Sequence, residues 1–117
     1  EFIEKEKASY SSQVKVLRRA MDLGVRIAFG TDAGVIPHGK NARLLKAYVE
    51  TGMKPLDAIR TATLNNAELF GWADRVGAIE PGKLADIIAV RENPLEDVTT
   101  LERVVFVMKD GKVYRRP

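Results

Sequence analysis

Apolar positions along this chain follow two periods, and the switch between them marks its elements. Val14, Leu17 and Met21 recur at three- and four-residue intervals, with Lys15, Arg18 and Arg19 off the stripe. That is the pattern of an amphipathic helix. Ser11 or Ser12 suits its cap and Gly24 its stop, so the predicted helix runs to about Leu23. Residues 1–10 are charged and weakly patterned, and read as the end of a loop or a frayed helical lead-in. The period then drops to two. Val25, Ile27 and Phe29 share one face and predict a strand reaching Thr31. Helix, glycine and strand so closely joined make the αβ half of a repeating α/β unit.

A loop from Ala33 to Lys40 follows, and Asn41 is a good cap for a helix through about Thr51. Leu44, Leu45, Tyr48 and Val49 are its apolar positions, and Gly52 its stop. Pro55 suits the first turn of a further helix, with Asp57 at its positive end. Its apolar positions are Leu56, Ile59, Ala62, Ala67 and Phe70, and Gly71 ends it. Beyond Trp72 the pattern turns to short strands. Pro81-Gly82 reads as a tight turn, Leu84 to Val90 and Val104 to Met108 as strands, and Asp110-Gly111 as a two-residue hairpin into Val113-Tyr114. The chain thus divides into an α/β piece, 1–72, and an antiparallel β piece, 73–117.

Each piece lacks something. A sheet of three or four short strands is marginal alone, and one parallel-type strand between helices cannot bury both its faces unaided. The chain also opens on Glu1-Phe2-Ile3, with neither an initiator Met nor a signal-peptide pattern. Both features lead to the expectation of a carboxyl-terminal fragment entered partway along.

Composition narrows the function classes. A 117-residue chain that is 45% hydrophobic and 30% charged suits a globular protein with a modest core. Nineteen Lys and Arg face sixteen Asp and Glu, a balance too mixed for a nucleic-acid stripe. With no cysteine, disulfides, thiolate zinc sites and cysteine nucleophiles are excluded. No apolar run approaches the roughly 18 residues of a membrane span, and a cytoplasmic setting is expected.

Candidate chemistry concentrates at Gly30-Thr31-Asp32-Ala33-Gly34. A carboxylate at the carboxyl end of a buried strand sits where α/β enzymes place their reactive groups. Thr-Asp-x-Gly is also ordinary turn chemistry with a solvated Asp, and spacing alone leaves both open.

Four motifs in order carry a resemblance over about Gln13 to Val113. They are Gly30-Thr31-Asp32-Ala33-Gly34, Pro37-His38-Gly39-x-Asn41, Gly52-Met53-x-Pro55-Leu56-x-Ala58-Ile59-Arg60-x-Ala62-Thr63-x-Asn65, and Gly77-Ala78-Ile79-Glu80-Pro81-Gly82-Lys83-Leu84-Ala85-Asp86-Ile87-Ile88. Together they resemble the closing segment of the amidohydrolase superfamily, in its branch of imidazolonepropionase-like enzymes and metal-dependent Xaa-Pro dipeptidases. The resemblance implies an α/β fold. Residues 1–72 would give the last strand and helices of a (β/α)8 barrel, which takes ~250 residues in full. Residues 73–117 would give the carboxyl half of a composite β-sandwich. It further implies a divalent metal, zinc by preference, in the whole protein, and a small amide or dipeptide substrate.

Asp32 matches the family's carboxylate that contacts the metal and moves the proton of the bound water. The family's other ligands, a His-x-His pair, a carboxylated Lys or Glu and two more histidines, have no match in this chain. With His38 its sole histidine, the chain alone is expected to bind no metal and to be inactive. His38 follows Asp32 as in the dipeptidases; a substrate-facing role and a backbone-bonded loop histidine both fit. Asn41 reads as a helix cap, Thr31 as a neighbour that orients Asp32, and Asp86 as structural. Arg43-Leu44-Leu45 departs from the branch, which often has an acidic residue there. The alternative is a structural module that self-associates through unpaired strand edges.

Overall fold

A computed structural model describes residues 2–35 and 37–117, with side chains in the first helix described from Tyr10 onward. Glu1 and Ile36, which fall in the expected lead-in and in the loop after Asp32, lie outside the described residues. The first helix, α1, spans Phe2–Asp22, so the helix extends well upstream of Ser11. Its stripe faces inward as expected, with Leu17 and Met21 against the core and Val16 exposed. Gly24 ends it at φ +67°, with the Gly24 N–H on the Met21 carbonyl (3.0 Å) and the Val25 N–H on that of Ala20 (2.9 Å). This pair of bonds is a Schellman cap, which needs a left-handed residue between them. The same pairing recurs at Gly52 and Gly71, the other two expected stops.

Helix α2 spans Arg43–Glu50, and the stretch expected as one helix from Pro55 to Phe70 is two. Helix α3, Pro55–Thr61, opens on Pro55 as expected, and α4 covers Leu64–Leu69. The break follows from the threonines. Thr61 Oγ1 donates to the Ala58 carbonyl (2.6 Å) and Thr63 Oγ1 to that of Ile59 (2.9 Å), while Thr63 turns to φ −127°, ψ −94°. Hydroxyls that bond preceding carbonyls compete with the helical ladder.

The β piece is a three-stranded antiparallel sheet of β1 (Ile87–Ala89), β2 (Phe106–Lys109) and β3 (Lys112–Arg115), in that order. Asp110 (φ +48°) and Gly111 (φ +74°) form the expected two-residue turn, with Lys109 opposite Lys112. Ahead of the sheet, Asp86 Oδ1 accepts the Asp110 N–H (2.7 Å) and Oδ2 accepts Lys109 Nζ. The structural part expected of Asp86 is therefore concrete: it ties the chain entering β1 to the hairpin tip.

The Lys109 ammonium and the Asp110 N–H hold the Asp86 carboxyl below its ordinary value. A lowered folded value stabilises the fold fully above the unfolded-chain titration, and the contribution is lost as pH falls through the folded value. Asp86→Asn is expected to flatten the acid-side decline of the thermal midpoint relative to the wild type. An unchanged decline would show that this carboxylate does not hold the hairpin.

Apolar packing centres on Leu45, Met53, Ala58 and Val98, with Ile27, Phe29, Tyr48 and Leu101 around them. Val98 belongs to a 3-10 turn, Val98–Glu102, which the sequence pattern did not predict. Asp97 caps it by accepting the Thr99 N–H (2.9 Å) and Thr99 Oγ1 (2.7 Å). Leu69, Phe70, Trp72 and Ile79 stay exposed. No helix among the described residues is long and apolar enough to cross a membrane.

Candidate functional site

The segment Val25–Thr31 leads from α1 to Asp32, and it is not a paired strand. A ladder needs a second backbone edge, and among the described residues none lies beside it. Side chains from α4 meet its polar groups instead. Asn65 Nδ2 donates to the Ile27 carbonyl (2.8 Å) and Asn66 Nδ2 to that of Phe29 (3.0 Å). The Phe29 N–H is shared between Asn66 Oδ1 (3.1 Å) and the Thr61 carbonyl (3.0 Å). The predicted inward face holds at Ile27 and Phe29, which pack on the core, whereas Val25 is exposed.

Asp32 itself stands exposed at the end of this segment with φ +50°. Left-handed backbone in a residue other than glycine costs about 1 kcal/mol and is often stored at functional positions. The turn closes when the Val35 N–H donates to the Asp32 carbonyl (3.1 Å). Beside Asp32 lies a cleft of about 530 Å³ between α1 and α2, lined by Tyr10, Val14, Leu17, Thr31 and Tyr48. Phe29 meets Tyr48 edge-on at 6.0 Å, and burial pushes the Tyr48 phenol up from its ordinary value.

Thr31 and Asn41 depart from their expected parts. Thr31 Oγ1 donates to Asn41 Oδ1 (3.0 Å), so the hydroxyl serves the far end of the loop rather than the neighbouring carboxylate. Asn41 is accordingly no cap: Ala42 holds the cap position of α2 without a side-chain bond. Its amide oxygen is used across the loop, on the Thr31 hydroxyl. His38 is exposed on the turn after Pro37, and among the described residues no hydrogen bond joins it to Asp32.

The contacts of Asn65 and Asn66 were not foreseen. Their signal was present in adjacent amides on half-buried positions of a short helix, where apolar residues would otherwise pack.

A metal would need more than this chain provides. Among the described residues no three His, Asp or Glu side chains converge, and Asp32 offers one carboxylate where zinc takes about four ligands.

The sequence pattern of the amidohydrolase family matches residues 3–114. Ochratoxinase of Aspergillus niger is 40% identical over 118 residues, spanning 97% of this chain and 24% of that protein. Imidazolonepropionase of Geobacillus kaustophilus is 36% identical over 110 residues, spanning 83% of this chain and 26% of that protein. In three dimensions the chain is similar to a crystal structure of a Xaa-Pro dipeptidase with methionine bound in its active site. That likeness has a TM-score of 0.85 at 49% identity, over 87% of this chain and 25% of the other. The chain thus spans about a quarter of the length of each of these three proteins. With the family pattern running over nearly all of it, the chain belongs to the amidohydrolase family.

Proposed function

We propose that this chain is the carboxyl-terminal quarter of a metal-dependent amidohydrolase that hydrolyses C–N bonds of small amides or dipeptides. Residues 1–72 are assigned to the last strand and helices of its (β/α)8 barrel, and 73–117 to a composite β-sandwich. Asp32 is assigned as one oxygen ligand of a divalent metal, zinc by preference, and as the carboxylate that carries a proton to the departing amine. His38 is assigned to the substrate side of the same loop. The remaining ligands lie outside this chain, so no step of the reaction runs on these residues alone.

One observation supports this reading above the others. The carboxylate ends an extended segment at the mouth of a cleft, on backbone held left-handed. Aspartate tolerates this region, as Asp110 does in the hairpin turn, so the place of the carboxylate on the cleft beside Thr31 is what supports the reading. Likeness to a Xaa-Pro dipeptidase favours dipeptides as the substrate class.

A second reading draws on the exposed apolar side chains Leu69, Phe70, Trp72 and Ile79, in which the chain is a self-associating module. One experiment separates the two. The full-length protein is expected to hydrolyse Met-Pro and to lose that activity on chelation, while the isolated 117-residue chain shows no rate above buffer. Hydrolysis by the isolated chain would overturn the assignment. Sedimentation of that chain as a discrete dimer, with no hydrolysis by the full-length protein, would establish the second reading.

A further inference from the structure

We propose that the Thr31–Asn41 hydrogen bond is a clasp holding the loop 32–40 shut, and that both are positioning residues for the groups this loop carries. The proposal rests on the assignment of Asp32 and His38 given above.

The loop has two arms. On the strand side, Asp32 begins a turn that the Val35 N–H closes on the Asp32 carbonyl (3.1 Å). On the helix side, the Lys40 N–H closes a second turn on the Pro37 carbonyl (3.2 Å). Gly39 stands third in that turn at φ +82°, as type II geometry requires, and His38 stands second. Each turn is thus fixed within itself. Between residues 30–35 and 37–42, the Thr31–Asn41 bond (3.0 Å) is the one hydrogen bond that crosses among the described residues.

Both ends of the clasp are anchored close by. Thr31 follows Phe29, which packs on the core, and Asn41 precedes Leu45, which is buried in it. Helix α2 is also pinned at its far end, where Arg18 Nε and Nη2 donate to the Thr51 carbonyl (3.3 and 3.1 Å). The clasp therefore ties the end of the Asp32 segment to a firmly held helix. Without it, the stretch free to move grows from 32–40 to everything between Phe29 and Leu45, and a longer loop has more conformations to leave. The bond joins side chains only. It makes no use of the backbone edges of Val25–Thr31 that neighbouring strands of a closed barrel would pair.

A loop that is open part of the time binds substrate more weakly by the fraction of time it is shut, because substrate selects the shut form. Once substrate is bound, both arms are in place. Loss of the clasp is therefore read in KM, whereas loss of the Asp32 carboxylate is read in kcat. The donor is a hydroxyl and the acceptor an amide oxygen. Serine keeps the donor, and valine keeps the shape of threonine without it.

The test uses the full-length protein with Thr31→Val, Thr31→Ser, Asn41→Ala, the double variant Thr31→Val/Asn41→Ala, and Asp32→Asn, with Met-Pro as substrate. Thr31→Val is expected to raise hydrogen exchange over residues 33–40 by about threefold to tenfold, the size of one lost hydrogen bond. Its KM should rise by a similar factor, with kcat within about twofold. Thr31→Ser should stay near wild type in both measurements. The double variant should lose no more than either single one, since one bond can be lost only once. A role confined to stability would move the melting point and leave KM at its wild-type value. Should Asn41→Ala fail to fold, the valine and serine variants at Thr31 still decide the question. Unaltered exchange over 33–40 in Thr31→Val would overturn the proposal, and so would a serine variant as loose as the valine one. Raised exchange beside a wild-type KM would overturn the positioning role. An active Asp32→Asn variant would remove the assignment of Asp32, while exchange over 33–40 would still decide the clasp.

Discussion

Asp32→Asn in the full-length protein is expected to lower kcat by roughly 10³-fold, within the range that a positioned proton-transfer group contributes. Asparagine is the informative replacement because of the backbone beneath it. At φ +50° the position strains most side chains, and asparagine tolerates the left-handed region about as well as aspartate. The exchange therefore keeps the turn closed by Val35 and removes the charge and the basic oxygen. Alanine would add strain to the loss of the carboxylate and confuse the two effects. A circular-dichroism melt should stay near the wild-type midpoint, while the rate on Met-Pro falls. A variant rate within about tenfold of wild type would take Asp32 out of the mechanism.

Gly77→Ala is expected to destabilise the fold by about 3 kcal/mol, the sum of two separate penalties. The first is conformational, because φ is +97°, a region that L residues rarely enter. The second is steric: the added methyl would press on Ala67 Cβ at 2.7 Å, with Leu64 Cα and the Thr63 carbonyl oxygen at 3.2 and 3.3 Å. Ala67 is buried and the other two atoms are backbone, so no flexible side chain can swing aside. Urea unfolding measures the loss directly. A change under about 0.5 kcal/mol would mean that α4 shifts freely, which would also weaken its hold on the Asp32 segment.

How much of this was legible beforehand depends on whether the signal was local. The glycine stops at residues 24, 52 and 71 were readable because a Schellman cap is decided within about six residues. Asp110-Gly111 was readable for the same reason, since two adjacent left-handed residues specify the turn. Thr61 and Thr63 split one expected helix through bonds to their own preceding carbonyls, which competed with an apolar period that looked continuous. The period-two run at Val25–Phe29 correctly placed Ile27 and Phe29 on the core. It could not reveal that amides from α4 would line its edge, because that pairing joins residues far apart in sequence. At the site, Asp32 stood out through its glycine neighbours. The parts of Thr31 and Asn41 were misjudged, since a good cap residue is equally good at reaching across a loop.

The place of Val98 sets an order on assembly. Leu45, Met53 and Ala58 have been made long before it, yet its side chain completes their packing. A nascent chain leaving the ribosome would carry those three residues half-covered until the 3-10 turn had emerged, and only then could the apolar centre close. Helices α2 and α3 are thus translated early and finished late, and the interval between is when they are most open to chaperones.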